Sequence, residues 1–295
     1  MNFPISGVHI APVYLVALGF VVGVLGGFFG VGGSFLAGPA LFGLGLPMNF
    51  AVGTDLAHLV GKSIVAARRH HTLGHIDYKL GLLMVLGTLP GVECGAQVIE
   101  RLKKTAHVDL VVGSAFVFIL VAISSSMAWE GWSTLRAGVR PGSDRSAFDG
   151  ASVWMRRFRV PPFVRLPVSG IESVSVWVII GISLVGGFLS GFLGGGAGYI
   201  RMPSMIYLLG IPTHIAIGTD LFEVIISAGY GTVTHALKGN VDILIALIMH
   251  TGAALGAQIG ASLTPYISGL RIRLAFVPLP LLGAGIIIHQ LLSKR

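Results

Sequence analysis

GFFGVGGSFLAGPALFGLGLPMNFAVGTDL, residues Gly27 to Leu56, occurs a second time as GFLGGGAGYIRMPSMIYLLGIPTHIAIGTDL, residues Gly191 to Leu221. An offset of 164 carries Gly30 onto Gly194 and Pro39 onto Pro203. One extra residue between Pro203 and Gly210 raises the offset to 165, so that Pro47, Thr54 and Asp55 fall on Pro212, Thr219 and Asp220. The match runs on through His70 and His235, Gly74 and Gly239, Asp77 and Asp242, and three glycines of a later segment, Gly87, Gly91 and Gly95, on Gly252, Gly256 and Gly260. The chain is an internal duplication, and a fold or function has to use both copies.

Composition says what solvent the duplication occupies. Of 295 residues, 54% are hydrophobic and 11% charged, and mean hydropathy is +0.85, too little polarity to coat a soluble globule of this size. Apolar runs approach the roughly 20 residues that a helix needs to cross hydrocarbon, whereas the alternating segments of about 10 residues expected of a barrel are missing. The single Cys94 excludes an internal disulfide and any multi-Cys metal or redox motif. Met1 to Pro12 carries no Lys or Arg, which argues against a removable signal.

In order, the apolar segments are Ala11 to Phe28, a short Ser34 to Leu46, Met48 to Arg69, Tyr78 to Glu100 and Val108 to Ala128. The second copy repeats them at Val174 to Leu193, a short Gly198 to Leu209, Thr213 to Leu237, Val241 to Thr264 and Ile272 to Leu292. The expected fold is an all-α polytopic membrane protein of two repeats, residues 1–128 and 173–295, around a basic linker, 129–172. Each repeat has four long helices and one short or re-entrant one. An odd number of crossings per copy makes the repeats inverted. With the N-terminus outside, twelve Lys and Arg fall on the cytoplasmic side, among them Arg68, Arg69, Lys79, seven linker Arg, Arg271 and Arg273, against six outside. The linker also holds three of the four Trp, and reads either as a topology determinant with headgroup aromatics or, through WMRRFRVPPFVRL, as a docking site for a partner or anionic lipid. The net charge of +8 follows the membrane sides and forms no separate domain, so nucleic acid is not expected.

Two kinds of residue could carry chemistry. Gly30, Gly32 and Gly33, with Gly194 and Gly196, stand where a long helix gives way to a short one. They serve close helix packing or, by starting the short helix with free NH groups at the positive end of its dipole, an anion. Intramembrane charge is costly and therefore a functional candidate. Arg201 lies in the short helix of the second copy where the first has Ala37, and Lys62 lies inside a long helix where the second has Ser227. Snorkelling and a structural ion pair are the plainer readings of these two cations. Asp55 and Asp220 are matched, and His58 answers Glu223, both three residues further along the same helix face. Helix capping or proton uptake would each use such acids. His70, His71 and His75 read as interfacial, without a third metal ligand.

The glycine turn, the Pro six residues after Gly33, the Leu-Gly-x-Pro, the Gly-Thr-x-Leu and the His before a Gly-x-x-Asp turn, all repeated, resemble the sulfite exporter (TauE/SafE) family of membrane permeases. The resemblance covers Val13 to Ala128 and Val174 to Leu292. It implies a secondary transporter of the cytoplasmic (inner) membrane, not an enzyme, moving sulfite or organosulfonates such as sulfoacetate. Matching positions are Gly30, Gly32, Gly33, Pro39, Gly53 and Thr54, with Gly194, Gly196, Pro203, Gly218 and Thr219; Asp55 and Asp220 depart from the Ser or Asn often found there. The anion is expected between the two short-helix starts, held by Thr54, Thr219, Arg201 and Lys62, with Asp55, Asp220, Glu223 and His58 as proton-coupling candidates and with alternating access between the copies. A passive anion channel and an intramembrane aspartyl hydrolase using Asp55 and Asp220 are the alternatives. No cofactor or metal is expected. The expected partners are the anion, the lipid bilayer and, left open, a second copy in a homodimer.

Overall fold

A computed structural model describes residues 1–104, 108–136 and 160–293. Of the expected docking stretch, Trp154 to Leu166, residues 154–159 lie outside them. The protein is an all-α polytopic membrane protein: seven helices among the described residues are long and apolar enough to cross a membrane.

Local sequence sets the ends of the helices. Helix α1, Pro12–Phe29, starts on a proline whose missing NH would have been unpaired there, and stops at Gly30 in the left-handed region at φ 74°. The short α2, Ser34–Gly43, has ten residues and so reaches only about 15 Å at 1.5 Å per residue. Then come α3, Met48–Thr72, α4, Tyr78–Lys103, and α5, Val108–Arg136. Helix α5 runs eight residues beyond its expected end at Ala128, into the stretch read as linker. The second copy gives α6, Val176–Leu193, the ten-residue α7, Gly198–Tyr207, α8, Thr213–Leu237, and α9, Ile243–Leu263. Its last segment, expected from Ile272 to Leu292, is one membrane-crossing stretch, Gly269–Ser293, with an interruption at Val277. It breaks into α10, Gly269–Phe276, and α11, Pro278–Ser293, because Pro278 and Pro280 lack the NH a continuous helix needs. Ser124 of α5 donates to the Val277 carbonyl at the break, at 2.7 Å.

The two copies are interleaved. Helix α1 packs along α9, and α4 along α6. On α1, Gly19, Gly23 and Gly27 face Met249, Ala253 and Ala257, while Gly252, Gly256 and Gly260 of α9 face the α1 backbone in return. The α4 glycines Gly87, Gly91 and Gly95 meet the α6 backbone near Ser183, Gly187 and Gly191. A Cβ at most of these positions would collide with backbone, so the small residues at every fourth position fix both seams. In both, residue numbers rise together, so the paired helices run parallel. In contrast, α3 packs antiparallel on its counterpart α8: Gly53 lies against Asn240 and His235, Leu56 against Gly231, and Gly218 against His75.

Two small hairpins complete the joint. Strands β1, Asn2–Phe3, and β2, Val8–His9, pair antiparallel, as do β3, Phe163–Leu166, and β4, Ile171–Ser175. Their turns match in sequence as well, Phe3-Pro4-Ile5-Ser6-Gly7-Val8 against Leu166-Pro167-Val168-Ser169-Gly170-Ile171, so the duplication extends into the end of the stretch read as linker. Each turn serine caps the other copy: Ser6 Oγ donates to Asp242 Oδ2, and Ser169 Oγ to Asp77 Oδ2, both at 2.7 Å. The second oxygen of each Asp accepts from its own helix start, Ile245 N at 3.3 Å and Leu80 N at 3.0 Å. A hydrogen bond to a buried carboxylate contributes about 1.5–3 kcal/mol. Ser6→Ala and Ser169→Ala should therefore each lower the thermal unfolding midpoint of the detergent-solubilised protein by a few degrees; midpoints unchanged in both would show that the hairpins do not brace the repeats.

Candidate functional site

The two glycine turns meet at the centre of the protein. Each uses three left-handed glycines, Gly30, Gly32 and Gly33 at φ 69–74°, and Gly194, Gly195 and Gly196 at φ 67–82°. Side chains other than glycine rarely adopt that region, which explains why both copies hold glycine there. Gly30 N and Gly194 N close the preceding helices on Gly26 O and Ser190 O, at 3.0 and 2.9 Å. The first NH groups of α2 and α7 are then left without intrahelical partners. The turns press on each other and on the crossing pair: Gly195 lies against Ser34, Gly198 against Val31, Gly30 against Ile217, and Gly32 and Gly196 against Leu59.

The charges gather around this junction. Arg201 of α7 is fully buried, and its Nε donates to Asp220 Oδ1 at 2.8 Å while Nη1 pairs with Glu223 Oε2 at 2.5 Å. Ser227, the counterpart of Lys62, donates to the same Glu223 oxygen at 3.2 Å. In the first copy the Asp55 carboxylate lies 3.4 Å from His58 Nδ1, which is 3.4 Å from Lys62 Nζ. Each matched aspartate is thus joined to a cation, directly in one copy and through an imidazole in the other. Neither Lys62 nor Arg201 snorkels, since both are at most 1% exposed. With His58 neutral, three carboxylates (Asp55, Asp220, Glu223) and two cations (Lys62, Arg201) leave a formal −1.

Thr54 and Thr219 are engaged elsewhere. Thr54 Oγ1 accepts from Asp242 N, and Thr219 Oγ1 from Asp77 N, both at 2.9 Å, so these hydroxyls tie each copy to the other's fourth helix.

Sequence reasoning missed two hydroxyls. Ser34, the first residue of α2, and Tyr199, the second of α7, are fully buried, and neither oxygen has a hydrogen-bond partner. Arg201 Nη2, Asp55 Oδ2 and Asp220 Oδ2 are unpaired as well. Buried polar groups are ordinarily satisfied, so the unmatched donors and acceptors gathered here make the junction a candidate site for a polar solute. A Cβ built on Gly195 would lie 2.9 Å from Ser34 Oγ and 3.4 Å from Asp55 Oδ2, which puts both atoms at the second turn. The sequence signal was available: each short helix opens with a hydroxyl residue in an otherwise apolar run.

A second buried ion pair was also missed. Arg273, counted from sequence among the charges on a membrane face, is fully buried, with Nη2 at 3.5 Å from Glu130 and Nη1 donating to Thr213 at 3.1 Å. Thr134 at 2.9 Å and Tyr207 at 3.1 Å also donate to Glu130, so the group anchors the end of α7 to α5 and α10.

A protein-family model described as sulfite exporter TauE/SafE matches residues 15–286. Over 259 residues the chain is 28% identical to a Bacillus subtilis (strain 168) protein named probable membrane transporter protein YunE, covering 85% of this chain and 88% of that one. Another from the same organism, probable membrane transporter protein YjnA, is 25% identical over 257 residues, 87% of this chain and 91% of its own. A probable membrane transporter protein of Xylella fastidiosa (strain Temecula1 / ATCC 700964) is 38% identical over 103 residues, 35% and 40% of the two chains. No solved structure matches. These relatives are named transporters rather than enzymes, and the hydrolytic reading of Asp55 and Asp220 is dropped.

Proposed function

Because the chain belongs to the sulfite exporter TauE/SafE family and is a multi-pass membrane transporter, we propose that it moves sulfite or a small organosulfonate such as sulfoacetate across the cytoplasmic membrane by alternating access. The observation that carries this reading is the buried junction of the two glycine turns. There Arg201 Nη2, Ser34 Oγ and Tyr199 OH are donors with no partner, beside two short-helix starts. Anion oxygens accept from all of these, and a helix N-terminus favours negative charge. Inverted repeats are supported by the antiparallel crossing of α3 and α8, because counterpart helices related by an axis in the membrane plane run in opposite directions.

Proton coupling is the second part of the proposal, and the charge count supports it. A monoanion added to a buried cluster of formal charge −1 would bring it to −2, which a low-dielectric interior disfavours strongly. One proton on Asp220, Glu223, Asp55 or His58 per anion removes that excess.

Both parts are read in proteoliposomes loaded or challenged with labelled sulfite, sulfoacetate and taurine. Saturable flux of at least one is expected, and an inside-acid or inside-alkaline gradient should change its steady-state distribution. Glu223→Gln, which mimics a permanently protonated side chain, should weaken that response. Absence of saturable flux, or flux indifferent to Arg201→Ala with Lys62→Ala, sinks the anion reading; flux that ignores the pH gradient sinks only the coupling.

A further inference from the structure

The two cross-copy joints differ in their titratable content. At the end where Arg68 and Arg69 emerge, His70 of α3, His75 of the loop to α4, and His214 at the start of α8 form a row, with ring centroids 5.5 Å and 5.4 Å apart. Their counterparts by the 165 offset are His235, Asn240 and Asn49. The same positions are filled in both joints, but one holds three imidazoles and the other one imidazole and two amides.

Hydrogen bonding assigns the protons. His70 Nε2 is 3.4 Å from Gly27 O, a group that can only accept, so Nε2 carries the hydrogen and Nδ1 is left as an acceptor. His75 Nδ1, 3.3 Å away, must then be the donor. His214 Nε2 donates to Thr264 O and Ile267 O, at 3.3 and 3.1 Å. The arrangement therefore needs His70 Nδ1 free of a proton. A proton added to His70 Nδ1 would face the Nδ1 hydrogen of His75 and break the contact between α3 and the loop. In the other joint His235 Nε2 donates to Gly191 O at 2.9 Å, the match of Gly27 O, but Asn49 Nδ2 donates to Asn240 Oδ1 at 2.9 Å through amides that do not titrate.

We propose that the joint of His70, His75 and His214 is a proton-operated latch between the two copies, parting on acidification of its own face while the His235, Asn240 and Asn49 joint stays closed. The charged groups around the row oppose imidazolium there. Arg69 on α3 acts on the row, and Arg273 of α10 reaches Thr213 beside His214. Asp77, at the start of α4, is already held by Ser169 and Leu80 N, while α1 and the turn after α9 present only carbonyls. Burial holds the His75 imidazole below its usual range, and His214 presses in the same direction. A histidine lowered in the joined form favours the parted form once pH falls below the free value of about 6.5. The His75 and His214 side chains are half-buried, so protons reach them from that face.

Backbone hydrogen exchange of the detergent-solubilised protein tests the latch without needing any solute, and so independently of the transport reading. After correction for intrinsic rates, segment 73–77 should exchange several-fold faster near pH 5.5 than near pH 7.5, because protonation favours the parted form. Segment 238–242, its counterpart, should be unchanged. His75→Asn with His214→Asn copies a composition the fold already carries in the other joint, and should abolish the difference in 73–77. Equal responses in the two segments, none in either, or a response that survives the double substitution, would overturn the latch. If the double variant does not fold, the comparison of the two wild-type segments decides.

Discussion

Arg201→Gln is expected to cut saturable anion flux by at least a hundredfold, roughly 3 kcal/mol at 1.4 kcal/mol per decade. The guanidinium pairs with both Asp220 and Glu223, and its remaining nitrogen is an unmatched charged donor at the junction. Removing it leaves two buried carboxylates without a cation, a loss of about 3–5 kcal/mol in stability as well. Stability and binding are separated by a second variant. Adding Glu223→Gln to Arg201→Gln removes one of the uncompensated charges, so the unfolding midpoint should recover while flux does not. Recovery of both would make Arg201 a structural ion-pair partner and nothing more. Arg201→Lys keeps the charge but not the fork that spans two acids, and should fall between.

Gly30→Ala should be among the most damaging single-methyl changes in the chain, whereas Gly45→Ala should be mild. Both glycines are left-handed, at φ 74° and 98°, so both incur the backbone penalty of about 1–2 kcal/mol. The difference is what the new methyl meets. At Gly45 nothing lies within 4 Å, but at Gly30 the added carbon would be 2.6 Å from the Ile217 Cα of the other copy. Backbone cannot rotate away, and overpacking adds about 1–3 kcal/mol. Membrane-extracted yield and unfolding midpoint should separate the two variants clearly; equal losses would mean that the turns are not in firm contact.

The helices and both turns were legible in the sequence because hydrophobic length and the duplicated glycines are local signals. Pairings across the chain were not. Asp220, Glu223 and Arg201 each stood out, yet nothing local said that one guanidinium bridges both acids, or that His58 stands between Asp55 and Lys62. Arg273 looked like a loop charge because its neighbours Leu270, Arg271 and Ile272 do not reveal Glu130, more than a hundred residues away. The hairpin match of Ser6-Gly7 with Ser169-Gly170 escaped notice because the basic run before it drew the whole region into one linker. Thr54 and Thr219 carried the family pattern, but their hydroxyls brace the copies through backbone amides, partners that sequence does not display.

The parallel seams of α1 with α9 and of α4 with α6 bear on how such a chain comes into being. Each seam takes one glycine-lined helix from either side of the duplication, so a half-length polypeptide would be born with two unfilled stripes and could fill them only on another molecule. Synthesis must therefore hold the first five helices in the bilayer as an incomplete assembly until the ninth emerges. Coexpressed halves split between residues 136 and 160 are the natural means of rebuilding it, and either half made alone should accumulate less than the pair.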